Sequence, residues 1–391
     1  MNIAIFTDTF PPEINGVATS TYNLYRVLKE KNHNVFVICT NPFSRKVTFD
    51  GDVLRIPGLE LKKLYSYRIS NFYNSKAMRI IKKMKPNIIH TNTEAGIGLF
   101  GRIVARRLKI PLVHTYHTMI EDYTYYITKG KGLFDKFAKS IVRKYSRFLA
   151  EKSTEFVVPS EKTKDILRGY GMNSYINVVP TGIDFKKYKA ENIDNTKLTN
   201  LKKQYGIEDC FVVLSLGRVA KEKSIDLCIK GFNEFANTSR QNSKMLIVGG
   251  GPALIELEQL VHELNLEDKV IFTGPVSAEE VPLYYNLADL FVSASITETQ
   301  GLTFMESMAA RKLILCRFDE NLVDVIYDGK TGFFFENEQD FKVKVNKILN
   351  LKSDEKEKIL DNASELVGRY SIDNFYNNIM EVYKRAIRKQ W

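Results

Sequence analysis

What most constrains the fold of this chain is a recurrence of short apolar runs separated by longer stretches of helical periodicity. Met1-Asn2-Ile3-Ala4-Ile5-Phe6-Thr7, Asn34–Thr40, Pro86–His90, Pro111–Thr115 and Glu155–Pro159 form one series. Phe211–Leu216, Lys244–Gly249, Val270–Gly274, Ala288–Ser295 and Leu313–Cys316 form a second. Such runs suit strands buried on both faces, and the helical segments between them supply the crossovers that parallel strands need. The chain therefore reads as α/β with parallel sheets. Ligands of such sheets gather beyond the carboxyl ends of the strands. His90, the pair His114 and His117, Gly16 on the loop after the first run, and the stretch after Ala288–Ser295 all lie at such ends.

Two series imply two domains, and 391 residues suffice for two cores of ordinary size. The turn-rich segment Val178-Val179-Pro180-Thr181-Gly182-Ile183-Asp184 reads as the passage between them, with residues 1–180 before it and 181–369 after. A content of 44% hydrophobic and 26% charged residues is that of a globular protein. No apolar run approaches a membrane span, and Met1–Phe10, interrupted by Asp8 and without a basic leader, does not read as a signal peptide. Cys39, Cys210, Cys228 and Cys316 are scattered, which fits a reduced, cytoplasmic protein. The net charge of +11 is uneven: residues 61–150 hold 19 Lys+Arg against 4 Asp+Glu. Concentrated basic surface implies an anionic partner, whether membrane lipid, nucleic acid or an acidic glycan. No nucleic-acid-binding motif accompanies it, so nucleic acid is not the expected partner.

The stretch Thr297-Glu298-Thr299-Gln300-Gly301-Leu302-Thr303-Phe304-Met305-Glu306 follows an apolar run and reads as strand, loop, then helix. A helix starting near Gly301 and Leu302 offers unpaired N–H groups and a positive dipole end to a phosphate. Glu298 on the loop and Glu306 about one turn inside the helix suit hydroxylated rings on either side of that phosphate, as in a nucleotide sugar. An amphipathic helix with two unrelated glutamates is the plain alternative. Gly217-Arg218-Val219-Ala220-Lys221-Glu222-Lys223 leaves the first run of the second series, and its cations Arg218 and Lys223 suit a diphosphate that gains charge on leaving. A solvated basic loop is the alternative there. Gly249-Gly250-Gly251-Pro252 fails as a dinucleotide fingerprint, because Leu254 replaces the third glycine. His114-x-x-His117 ends a strand and has no Cys or third His nearby, so no metal is expected.

Leu133–Phe148 has amphipathic helical spacing: Phe134, Phe137, Ile141, Tyr145 and Phe148 share a face bordered by Lys136, Lys139, Arg143 and Arg147. It reads either as a core-facing helix with a basic back or as a membrane-surface helix drawn to anionic lipid.

The Glu298-x7-Glu306 spacing with Gly301, inside Ser-x-x-Glu-Thr-Gln-Gly-Leu-Thr, resembles the signature of retaining glycosyltransferases of the GT-B fold. The likeness extends to Gly217-Arg218-x-x-x-Glu222-Lys223, with Ser224 where the family usually has Gly, and to Asn15-Gly16 and Pro180-x-Gly182-Ile183-Asp184. It implies two Rossmann-like domains facing a central cleft: an N-terminal acceptor and membrane-binding domain, and a donor-binding domain. A last helix, about 370–391, would cross back to the first. It further implies that Gly16, Arg218, Lys223, Glu298, Thr299, Gln300, Gly301, Leu302 and Glu306 bind the donor, Glu298 at the hexose and Glu306 at the ribose. His117 would lie next to the anomeric centre, so that His117, Glu298, Arg218 and Lys223 carry the reaction. No cofactor is implied beyond the UDP-sugar, with Mg²⁺ at most a non-essential stimulant. Tyr116–Ile127 resembles closely the corresponding segment of bacterial 1,2-diacylglycerol 3-alpha-glucosyltransferases. That implies transfer of glucose from UDP-glucose to diacylglycerol on the inner face of the membrane, with Lys136, Lys139, Arg143 and Arg147 on the lipid surface. Another acceptor (glycolipid, polyol phosphate or glycan) or another hexose such as galactose is the alternative. A glycoside hydrolase using Glu298 and Glu306 would leave the basic loop without a role.

Overall fold

The computed structural model describes the chain except residues 14, 62–66, 118–120, 122–131, 296–297, 299, 320–321, 323–324 and 390–391, and the side chains of 60–61, 67–69 and 132–134. It forms two compact units. One comprises Met1–Gly182 with Ile372–Trp391, and the other Ile183–Ser371.

The first unit is built on β1 (Asn2–Thr7), β2 (Asn34–Asn41), β3 (Thr48–Phe49), β4 (Val53–Leu61), β5 (Tyr67–Ser70), β6 (Ile88–Thr91), β7 (Leu112–Thr115), β8 (Glu155–Val158) and β9 (Ile176–Val178), in the order β3-β4-β2-β1-β6-β7-β8-β9 with β5 on β4. The central strands are parallel, and the period of two along β1 explains the layers. Ile3 and Ile5 pack with Val35, Val37, Leu24 and Leu28 and with Phe375, Ile379 and Tyr383 of the helix Ile372–Arg388. Ala4 and Phe6 pack on the other face with Ile38, Ile81, Phe100 and Val104. The sheet is not parallel throughout, because β3 and β5 both pair antiparallel with β4. Pro57-Gly58 inside β4 breaks the apolar pattern, which is why this edge is not legible as strand in the sequence.

The second unit carries β10 (Phe211–Leu216), β11 (Ser243–Val248), β12 (Val270–Gly274), β13 (Leu290–Ser293), β14 (Leu313–Arg317) and β15 (Phe333–Phe335), all parallel, in the order β12-β11-β10-β13-β14-β15. In both sheets the order reverses beside the first strand, between β1 and β6 and between β10 and β13. Loops leaving the carboxyl ends of those pairs diverge, and this is where such sheets take ligands.

Candidate active site

In the second unit the loop after β10 is held by the glycine turn after β11. Gly217 N donates to Val248 O at 2.9 Å, Val219 N to Gly250 O at 3.0 Å, and Ala253 N to Val219 O at 3.1 Å. Gly249 has a φ of 139°, and a Cβ there would sit 1.8 Å from Gly217 O. Gly249, and Gly251 whose Cβ would sit 2.2 Å from Val219 O, thus let two loops meet backbone to backbone. Ser224 ends the first loop in the left-handed region, at φ 46° and ψ 42°. This conformation is cheap for glycine and costly for serine.

That loop ends in a tight turn, Lys221–Lys223, which carries Lys223 across to the loop after β13. Its Nζ lies 2.6 Å from Glu298 Oε1 and 3.4 Å from Ser295 Oγ. Burial alone would lift the Glu298 carboxyl, but the charge and hydrogen bond of Lys223, with a bond from Ser295, hold it below the usual carboxylate range. Arg218 donates from Nη2 to Glu222 Oε1. Both cations therefore rest against carboxylates, and Glu222, four residues beyond Arg218, belongs to the constellation although the sequence reading assigned it no role.

Gly301 has a φ of 71° and precedes the helix Leu302–Ala309. A Cβ there would sit 3.0 Å from the Phe304 ring and 3.1 Å from Leu322 Cδ2, so both backbone angle and space call for glycine. The helix is clamped by Phe304, which meets Phe291 of β13 edge-on at 5.6 Å. Among the described residues no side chain caps its start, and the amides of Leu302 and Thr303, ahead of the first backbone bond from Phe304 N to Gly301 O, have no intrahelical partner by geometry. Gln300 is buried and directs Nε2 toward Met305 Sδ at 3.6 Å. Thr299 lies outside the described residues. Glu306 is buried in mid-helix, with Oε2 3.0 Å from the Tyr285 hydroxyl. Burial pushes its carboxyl up to about 7, against hydrogen bonds from Tyr285 and Tyr188. Neither tyrosine carries a signal that sequence reasoning could have used.

In the first unit Gly16 is the first residue of the helix Gly16–Glu30, capped by Asn15 Oδ1 accepting from Ala18 N at 2.9 Å. A Cβ at Gly16 would meet nothing within 4 Å. His90 and His114 are core residues. His90 is bonded at both nitrogens, to the Tyr383 hydroxyl at 2.8 Å and to Thr115 Oγ1 at 2.7 Å. His114 Nδ1 meets Thr91 Oγ1 at 2.8 Å. His117, beyond β7, places Nε2 2.9 Å from Asn92 Oδ1 on the loop after β6, and burial lowers its imidazole to about 4. Two carboxyls missed by the sequence reading sit on the same loops. Asp8 Oδ1 accepts from Ile97 N at 2.8 Å, and burial pushes Asp8 to about 7. Burial likewise lifts Glu94 to about 8, although it accepts the His117 backbone N–H. Among the described residues, no group of three His, Cys, Asp or Glu side chains is placed to hold a metal ion.

The basic helix spans Gly132–Glu151. Its inner side is Ser146, Leu149 and Ala150, with Tyr116 Oη 3.1 Å from Ser146 Oγ and Arg102 Nη2 3.0 Å from Leu149 O. The expected single aromatic face is divided. Tyr145 turns inward to the Glu94 carbonyl, whereas Phe137, Ile141 and Phe148 are 64%, 52% and 46% exposed. Phe134 lies outside the described side chains. Lys136, Lys144 and Arg147 are exposed, while Lys139 pairs with Asp135 at 2.9 Å and Arg143 with Glu121 at 2.7 Å. No helix among the described residues is long and apolar enough to cross a membrane.

Two doubly wound units, each with polar side chains gathered at the reversal of its sheet, have the architecture of the GT-B fold. Solved structures agree in fold. The Anabaena protein Alr3699/HepE, crystallised with UDP-glucose, superposes with a TM-score of 0.76 at 17% identity, covering 98% of this chain and 99% of that one. The sucrose-phosphate synthase of Thermosynechococcus elongatus gives 0.74 at 18%, covering 99% of each chain. Residues 14–187 match Glycosyltransferase Family 4 and residues 198–366 match Glycosyl transferases group 1, and the chain belongs to this glycosyltransferase family. It is 35% identical over 388 residues to the alpha-monoglucosyldiacylglycerol synthase of Streptococcus pneumoniae (strain ATCC BAA-255 / R6), covering 99% of this chain and 86% of that protein. The alpha-monoglucosyldiacylglycerol synthase of Acholeplasma laidlawii is 35% identical over 347 residues, covering 87% and 86%.

Proposed function

We propose that the protein is a retaining α-glucosyltransferase that moves glucose from UDP-glucose to the free hydroxyl of 1,2-diacylglycerol, working as a peripheral protein on the cytoplasmic face of the membrane. The observation that carries the transfer site is the Lys223–Glu298 pair beside the Gly301 helix start. It sets a cation, a carboxylate and helix-start amides together, which suits a hexose linked to a departing diphosphate. The acceptor reading is supported by the 35% identity to two diacylglycerol glucosyltransfer enzymes and by the exposed Phe137, Ile141 and Phe148 beside exposed basic residues.

In this mechanism Arg218, Lys223 and the amides at Gly301 and Leu302 neutralise the leaving diphosphate. Glu298 holds the hexose and Glu306 accepts from the ribose hydroxyls, while His117 keeps the hexose role that the resemblance implies for it. The acceptor hydroxyl attacks on the face the diphosphate leaves, and a diphosphate oxygen takes its proton, so the anomeric configuration is kept. The protein residues position and stabilise charge. The test is product analysis with UDP-glucose, UDP-galactose and GDP-mannose on phosphatidylglycerol vesicles containing diacylglycerol. An α-linked glucosyl-diacylglycerol is expected. A β-linked product, or transfer only to a different acceptor or from a different donor, refutes the reading.

A further inference from the structure

We infer that Asn92 is a positioning residue for His117: its amide oxygen fixes the imidazole as the Nε2–H tautomer and sets the ring so that Nδ1 presents a lone pair. This rests on the role given to His117 under the proposed function.

Three observations converge. Asn92 Oδ1 lies 2.9 Å from His117 Nε2. A carbonyl oxygen only accepts, so the proton of a neutral ring sits on Nε2. The Asn92 backbone is itself fixed, donating to Phe6 O at 2.8 Å across the reversal between β1 and β6. Finally, Asn92 is 2% exposed, and its Nδ2 has no partner among the described residues. A buried amide with one end unsatisfied costs stability, so core packing alone does not account for an asparagine there. The hydrogen bond to His117 does.

Other groups around the ring are consistent with a neutral imidazole. Glu94, after β6, accepts the His117 backbone N–H rather than a ring proton. His90 on β6 and His114 on β7 each lie near enough to interact electrostatically with His117, and burial holds both well below the usual histidine range. Asp8 and Arg102 act on Glu94 with opposite sign. Burial is what lowers the His117 imidazole, and the uncharged amide at Asn92 leaves it neutral at physiological pH.

Two variants test this in the full-length protein. Asn92→Leu removes the acceptor. Asn92→Asp keeps an oxygen on Nε2–H in the same shape and adds a charge that favours imidazolium. The tautomer is read from ¹⁵N shifts of His117, and kcat, KM and UDP affinity are measured alongside. Asn92→Leu should mix the tautomers and lower kcat about 10- to 100-fold, with UDP affinity within about twofold because the nucleotide is assigned to the other unit. Asn92→Asp should raise the His117 titration and move the acid limb of kcat up by about one pH unit or more. An unchanged tautomer in Asn92→Leu, or an Asn92→Asp profile superimposed on that of the wild type, overturns the inference. Should Asn92→Leu fail to fold, the isosteric Asn92→Asp still decides. A wild-type protein that makes no glucosyl-diacylglycerol would refute the proposed function while the ¹⁵N tautomer result still judges Asn92.

Discussion

Lys223→Ala, with Glu298→Gln and the double variant, separates a catalytic role of the ion pair from a structural one. At 2.6 Å and an effective dielectric constant near 20, the gross attraction is about 6 kcal/mol. Desolvation of the two charges cancels most of it. With side chains 28% and 13% exposed, we expect either single substitution to cost about 2 kcal/mol of stability. In a unit of this size that lowers the melting temperature by about 4–8 °C. The double variant leaves no unpaired charge and should recover much of the loss. Turnover should behave differently, because a cation that stabilises a departing diphosphate is worth about 2–4 kcal/mol of barrier. Lys223→Ala and the double variant should therefore both lose about 30- to 1,000-fold in kcat. The assay is radiolabelled glucose transfer from UDP-glucose to diacylglycerol in mixed micelles, alongside ligand-free thermal melts. If the double variant regains turnover together with stability, the pair is structural and the donor-site assignment of Lys223 is wrong.

Ser224→Gly should stabilise the protein by about 0.5–1 kcal/mol, since relief of about 1–2 kcal/mol at φ 46° exceeds the added chain entropy of glycine; a lower melting temperature would contradict this. Stability should fall as pH rises from about 6.5 to 8. Glu306 and Asp8, raised to about 7, and Glu94, raised to about 8, bind protons in the folded state that the unfolded chain has already lost. The lowered histidines act in the opposite sense, but only below about pH 6.5. Glu94→Gln should flatten the slope, by up to about 1.4 kcal/mol per pH unit, and denaturant titrations at several pH values measure it. Replacing Phe137 and Ile141 by Ser and reversing Lys136, Lys144 and Arg147 should weaken sedimentation with phosphatidylglycerol vesicles and slow lipid glucosylation, leaving donor hydrolysis unchanged; undiminished binding argues against this face. Transfer should persist in EDTA, because the Asp-x-Asp at Asp50 and Asp52 lies on the turn between β3 and β4 of the first unit, with Asp52 paired to Lys29, and not on the loops assigned to the diphosphate; complete loss restored by Mn²⁺ or Mg²⁺ would refute the metal-independent site.

The sequence by itself determined the parallel core strands and the place of the Gly301 helix start. Burial on both faces writes a strand as a continuous apolar run, and a left-handed backbone calls for glycine. It was blind to β4, where Pro57-Gly58 interrupts the run, and to the short strands β3, β5, β9 and β15, which their neighbours in the sheet define. Nor does helical periodicity say which side of an amphipathic helix faces the core. Only packing turned Tyr145 inward and left Phe137, Ile141 and Phe148 exposed. The site shows the same division. Arg218 and Glu222 lie one helical turn apart in sequence. Lys223 and Glu298, or Asn92 and His117, meet only because β10 lies beside β13 and β6 beside β7. Which charge rests on which carboxylate, and which nitrogen of His117 carries the proton, follow from those strand orders, since hydrogen bonds and ion pairs act over a few ångströms of space and not over chain length.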